Sequence, residues 1–264
     1  GYNWPGSGHL DRGQGSDPLF NAVVPLSLAW YYTGYQVYGA KAAALLRTWF
    51  LMPATAMNPN LEHANTIPGV GPETGGVVDF ARFPRILDCI RLLEATEPNA
   101  LGLWTVADRV GMRDWVKRML QWWVTSRPGV GAMGGDRNIA MTASITAMSM
   151  ALYSEQPSTA HAIAANQSQR LISVLLDANG RVIADMNRPD GFMYCSADMV
   201  DLMDLAVISN HAGLTGVDLL HWRQNASSGS VPLALEWFLP YCSKGCTAAG
   251  HTVQQQRQCS AWPY

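Results

Sequence analysis

Charge is what this sequence has least of. Of its 264 residues, 14% are Asp, Glu, Lys or Arg, against about 25% in average soluble domains. Eighteen basic and twenty acidic side chains leave a net charge of −2. The basic excess that marks nucleic-acid binding is missing, so no nucleic-acid partner is expected. Uninterrupted apolar runs long enough to span a bilayer are missing too, so no membrane partner is expected. The start, Gly1-Tyr2-Asn3-Trp4-Pro5, lacks an initiator Met and reads as a mature, processed or trimmed chain. With 48% hydrophobic residues and a small net charge, disorder is excluded. The length suits one large domain, or at most two.

Strand patterns are equally scarce, apart from a hint at Arg181-Val182-Ile183. The apolar spacing is helical over residues 20–33 and 36–51, with a break at Thr33-Gly34. Residues 83–95 form the next helix, with Pro84 in its first turn, where the missing N–H is harmless. Thr105 caps a helix that runs to about Ser126, with Asp108 completing a capping box. Its Trp115, Met119, Trp122 and Trp123 share one side and read as core. A further helix starts at Gly134-Gly135-Asp136, with Asp136 as N-cap, and reaches Tyr153. Helices over 158–176, 195–212 (stopped by Gly213) and 231–240 complete an all-α chain of antiparallel helix hairpins. The polar, Pro- and Gly-rich stretch from Leu51 to Val77 is too long for a simple connection and is a candidate functional loop.

Cysteines number five, and three of them, Cys242, Cys246 and Cys259, crowd into a polar tail. The domain reading is therefore 1–241 plus a tail over 242–264. A disulfide would staple a tail with so little apolar content. Unpaired thiols are the second reading, and a metal site with His251 the third, although C-x3-C followed by C-x12-C fits common zinc spacings poorly. No metal is expected. Sequons at Asn166 and Asn225 are candidate N-glycan sites, and with the tail they point to a secreted, extracellular protein.

The stretch from Leu46 to Ala64, LRTWFLMPATAMNPNLEHA, followed by Ile67-Pro68-Gly69, closely resembles the signature of the alginate lyases that cleave poly-mannuronate. Tyr2-Asn3-Trp4-Pro5, Trp122-Trp123-Val124-Thr125-Ser126 and Gly216-Val217-Asp218-Leu219-Leu220-His221-Trp222 are similar to further family segments. The resemblance covers most of residues 1–240, although the stretch between Pro5 and Leu19 is shorter than in the family. It implies an incomplete (α/α) barrel and an acidic polysaccharide, alginate or glucuronan, as partner. It also implies β-elimination, in which a uronate C5 proton leaves and the C4–O bond breaks, with no cofactor required.

That chemistry has three parts: neutralising the carboxylate, removing the proton and protonating the leaving oxygen. The family takes an Asn-His pair from a helix start and an Arg and a Tyr from a later segment. The matching positions here are Asn138, Arg188 and Tyr194, which the resemblance makes catalytic. Free tyrosine titrates near about 10, and a close arginine cation favours tyrosinate. The histidine position holds Ile139, which can neither take a proton nor hydrogen-bond a carboxylate. Arg137 beside the free N–H groups of a helix start is a candidate carboxylate ligand. His63, Asn58, Asn60 and Trp4 are further candidate substrate contacts, with His63 a possible source of the missing imidazole. A catalytically impaired protein that binds acidic glycans in the manner of a lectin is the rival reading.

Overall fold

The computed structural model describes residues 16–64, 73–95, 102–188, 191–214 and 216–244. The chain divides into two compact units. The first takes in residues 1–131 and 149–156, and the second takes in 132–148 and 157–264.

In the first unit, α1 (Ser16–Thr33) packs against α2 (Gln36–Leu46) and α3 (Phe83–Ala95). Gly34 makes the sharp turn between α1 and α2 at a φ of +71°, a conformation open to residues without a Cβ. α2 does not continue as an α-helix to residue 51 as expected. It widens into a π-helical turn over Arg47–Leu51, which packs against α4 (Val106–Thr125). The capping box of α4 is present in full: Thr105 accepts from the Asp108 backbone, and Asp108 accepts from the Thr105 backbone. Asp108 also receives two hydrogen bonds from Arg47, at 2.8 and 2.6 Å, which tie the start of α4 to the π turn.

Phe50, Phe80, Phe83 and Trp115 build the aromatic centre of this unit, with Phe50 and Trp115 edge to face at 4.7 Å. Met112, Met119 and Trp123 extend it along α4, as their helical spacing predicts. The short helix α5 (Arg127–Met133) was not expected, because its sequence holds a proline and two glycines. Pro128 sits in the first turn, where it is tolerated, and Ser126 caps the helix by accepting from Gly129 N at 3.1 Å. A Cβ on Gly129 would meet the Trp123 carbonyl oxygen at 2.1 Å, so that glycine serves close packing and not a break.

α6 runs from Asn138 to Tyr153 and is buried on most of its surface, with Ala140, Met141, Ala143, Ile145, Ala147 and Met148 in the core beside buried Ser144 and Thr146. It starts later than expected. The first carbonyl to accept a helical bond belongs to Arg137, so Arg137 and not Asp136 occupies the capping position. In the second unit, α7 (Pro157–Ala162), a π segment (Ile163–Ser168) and α8 (Gln169–Leu175) occupy the single helix expected there. The hint of strand resolves to one isolated antiparallel bridge, Leu176 with Val182, and no strand occurs among the described residues.

α9 (Gly191–His211) packs against α10 (Val231–Lys244), with Phe192 stacked on Phe238 at 5.4 Å. α10 continues through Cys242 to Lys244, beyond the expected end at 240. Cys242 is an exposed free thiol, as Cys89 and Cys195 are buried ones, so the disulfide expected of Cys242 is absent from the described residues. Cys246 and Cys259 lie outside them. No described helix is long and apolar enough to cross a membrane.

Candidate active site

The signature stretch lies in the first unit and is held by its own backbone and by donors from α4. Met57 N donates to Trp49 O at 2.8 Å, and Thr55 Oγ1 donates to Thr48 O at 2.5 Å. Trp115 Nε1 donates to Met57 O at 2.8 Å, and Trp122 Nε1 donates to Glu62 Oε1 at 2.5 Å. These two tryptophans therefore join core packing to a polar anchor for the loop. Asn60 Oδ1 accepts from Glu62 N at 3.2 Å, a local turn bond that engages its side chain. Asn58 and His63 are exposed. Trp4 lies outside the described residues.

The second unit carries the segment that leads to Arg188 and Tyr194. Asp177 fixes its entry by accepting from Asn179 N and Arg181 N, each at 2.9 Å, and from Arg181 Nε at 2.5 Å. Gly180, at φ +78°, lets this turn approach α10, since a Cβ would meet Leu233 backbone atoms at 2.3 Å. Turn bonds from Met186 N to Val182 O and from Arg188 N to Asp185 O then coil the chain toward α9. Gly191 N donates to Arg188 O at 3.0 Å, and Gly191 lacks the Cβ that would strike Met186 O at 2.6 Å. Arg188 is thus fixed immediately ahead of α9, and Tyr194 is placed in its first turn.

Three residues predicted as catalytic meet here. The Arg188 guanidinium lies over the Tyr194 ring, with Cζ 3.4 Å from the ring centroid. Arg188 Nη1 reaches Asn138 Oδ1 at 3.4 Å and Asp185 Oδ1 at 2.9 Å. The contact with Tyr194 is to the face of the ring, and no hydrogen bond joins its hydroxyl to another described residue. Tyr194 and Asn138 are half-buried, and the Arg188 side chain keeps 31% of its surface exposed.

Asn138 is the first residue of α6, so the unpaired N–H groups of a 16-residue helix open beside it. The turn ahead of it is held by Arg170, whose Nη2 donates to Met133 O at 3.0 Å and Gly135 O at 2.7 Å, and by Gln167, which donates to Met133 O. Arg137 turns away to exposed Asp136 at 3.7 Å and is itself exposed. Ile139 is half-buried.

Sequence reasoning missed the acidic residues behind this cluster. Asp185 and Asp198 are fully buried. Burial, reinforced by the neighbouring Asp185 and Asp201 carboxyls, raises the pKa of Asp198 far above the carboxylate range. Asp201 accepts from Thr142 Oγ1 at 3.0 Å, and burial pushes its pKa up to about 7. The only signal in the sequence is Asp185 three residues before Arg188, an ordinary spacing for a local ion pair.

Of the glycosylation candidates, Asn166 is exposed on the π segment, and Asn225 is exposed in a turn where its Oδ1 accepts from Ser227 N.

A solved structure, the crystal structure of an alginate lyase from Bacteroides ovatus, superposes with a TM-score of 0.80 at 24% sequence identity. The match covers 89% of this chain, which spans 60% of the length of the solved one. No curated protein matches the sequence. The family model for alginate lyase matches residues 12–248, and the same all-α fold underlies both molecules, so the chain belongs to the alginate lyase family.

Proposed function

We propose that the protein is a polysaccharide lyase that cleaves an acidic polyuronate, alginate or glucuronan, by β-elimination. The observation that carries this reading is the convergence of Asn138, Arg188 and Tyr194 on one guanidinium. Asn138 and the first-turn N–H groups of α6 receive the uronate carboxylate, where the helix dipole favours an anion. Neutralising that carboxylate makes the C5–H acidic. Tyr194 takes the proton and returns it to the departing O4, so the C5–H bond and the C4–O bond break while a C4–C5 double bond forms. Arg188, against the ring, offsets the negative charge that develops on the phenol oxygen. One residue can serve as base and acid when the proton and the leaving oxygen lie on the same face of the sugar. This favours poly-mannuronate or glucuronan over an epimer that needs a base on the opposite face. Exposed sequons at Asn166 and Asn225 support an extracellular setting.

Ile139 supports a second reading, an impaired enzyme that binds acidic glycans without cutting them. Incubation with poly-mannuronate, alginate and glucuronan separates the two. The unsaturated product absorbs in the ultraviolet, and a rising signal is expected. Binding without any rise would establish the second reading. Gain of activity in Ile139→His would then show that the cluster is otherwise competent.

A further inference from the structure

We propose that Asp185 and Asp198 are a carboxyl pair that shares one proton, and that they act as positioning residues, with Asp198 donating to Asp185 and Asp185 thereby anchoring Arg188 on the Tyr194 ring. Asp185 and Asp198 have no exposed surface, and the Asp185 carboxyl lies close enough to raise the proton affinity of Asp198. Among the described residues one guanidinium faces them, and it bonds Asp185 Oδ1 at 2.9 Å. Neither oxygen of Asp198 meets a donor among the described residues, nor does Asp185 Oδ2. Two adjacent carboxylates with no donor between them are unstable away from water. A proton between Asp198 and Asp185 Oδ2 satisfies both groups and leaves one negative charge to match one positive charge.

The surroundings agree. On α9 the pair is faced by Cys195 and Asp201, and neither supplies positive charge. α6 contributes the neutral Asn138 to Arg188 and Thr142 to Asp201. From α10, Tyr241 approaches the Cys195 side and brings no cation. Among the described residues Arg188 is the cation that bears on Asp198, and it lowers the proton affinity less than burial and the two neighbouring carboxyls raise it.

The proton itself is tested without substrate. In infrared difference spectra of the whole protein at neutral pH, the wild type shows a protonated carboxylic C=O band that Asp198→Asn lacks. A wild type without the band overturns the pair. The unfolding midpoint gives a second readout. A carboxyl that keeps its proton in the folded state makes the wild type lose stability as pH rises above the ordinary carboxylate pKa. Asp198→Asn therefore gains on the wild type by about 2–4 °C per pH unit across that range. Parallel profiles overturn the assignment.

Anchoring is tested by NMR of ring-labelled tyrosine. The Tyr194 resonances shift in Asp185→Asn as the guanidinium leaves the ring, and unshifted resonances overturn the anchoring role. The kinetic consequence rests on the lyase reading. kcat on poly-mannuronate falls about 100-fold in Asp198→Leu, while Asp198→Asn, which keeps a donor toward Asp185, loses about tenfold less, with KM little changed in both. Equal losses in the two variants would reduce Asp198 to packing. If the wild type cuts no polyuronate, the lyase reading fails alone, and the infrared, thermal and NMR results still decide the pair.

Discussion

The two units differ in what their conspicuous residues do. In the first, the stretch that most resembles a known signature is a held loop. Its order comes from backbone bonds and from Trp115 and Trp122 of α4, while Asn58 and His63 stay exposed. In the second, a segment with little literal likeness carries Arg188 between Asp185, Asn138 and the Tyr194 ring. A long fixed motif here reports how tightly a loop is constrained, and the residues proposed for the chemistry sit where the wording is loose. A side-chain bond to the backbone, such as Trp115 Nε1 to Met57 O, needs one particular residue, so it shows as a strict pattern. A charge cluster can be assembled from residues far apart in the chain, so it does not.

The sharpest way to break this contrast is Tyr194→Phe. The ring and its contact with Arg188 remain, and only the hydroxyl is lost. A loss of about 10²–10⁴ in kcat is expected from removing a general acid–base group, with the unfolding midpoint nearly unchanged. A variant that still releases unsaturated uronate at the wild-type rate would take the base away from the second unit.

Trp115→Phe probes the other side. The aromatic packing against Phe50 and Phe83 survives in part, but Met57 O loses its donor. A loss of about 1 kcal/mol of unfolding free energy is expected, the usual consequence of removing one hydrogen bond to a half-buried acceptor. Denaturant titration measures it. A variant as stable as the wild type would mean that the loop is held by its own backbone alone.

Legibility followed the same division. The α4 capping box was readable from Thr105 and Asp108, and Pro84 in the first turn of α3 from its position, because both depend on neighbours in the chain. α5 lies between the expected helices and was not assigned, and Gly129 is there because Trp123 comes too close for a side chain. The π turns at Arg47–Leu51 and Ile163–Ser168 have no local signal, since one extra residue per turn leaves the apolar pattern nearly intact. The Arg188–Tyr194 neighbourhood was visible through resemblance and through no periodicity. Asp198 carries no signal in the sequence, because its burial is set by the fold and not by spacing.

Asp108 extends the contrast to pH. Burial opposes its ionisation, but hydrogen bonds from Arg47 and from Thr105 outweigh that, so its pKa lies below the ordinary carboxylate value. A lowered pKa stabilises the fold above the unfolded-state value and is lost as pH falls through the folded one. Asp108→Ala should cost about 1 kcal/mol near neutral pH, and the difference from the wild type should shrink in acid. This is the reverse of the slope expected for Asp198, so the two carboxyls give opposite pH signatures within one molecule.

The smallest effect is expected at His63. Its side chain is exposed on the turn that closes with Ala64 N donating to Leu61 O at 3.0 Å. His63→Ala should shift unfolding free energy by no more than about 0.5 kcal/mol. If the imidazole touches substrate through one hydrogen bond, KM on poly-mannuronate rises about two- to tenfold with kcat unchanged. The informative result is the split between the two constants. A fall in kcat as deep as that of Tyr194→Phe would mean that His63 supplies the imidazole absent at Ile139. The signature loop would then carry chemistry as well as constraint, and the division between a scaffold unit and a reactive unit would no longer hold.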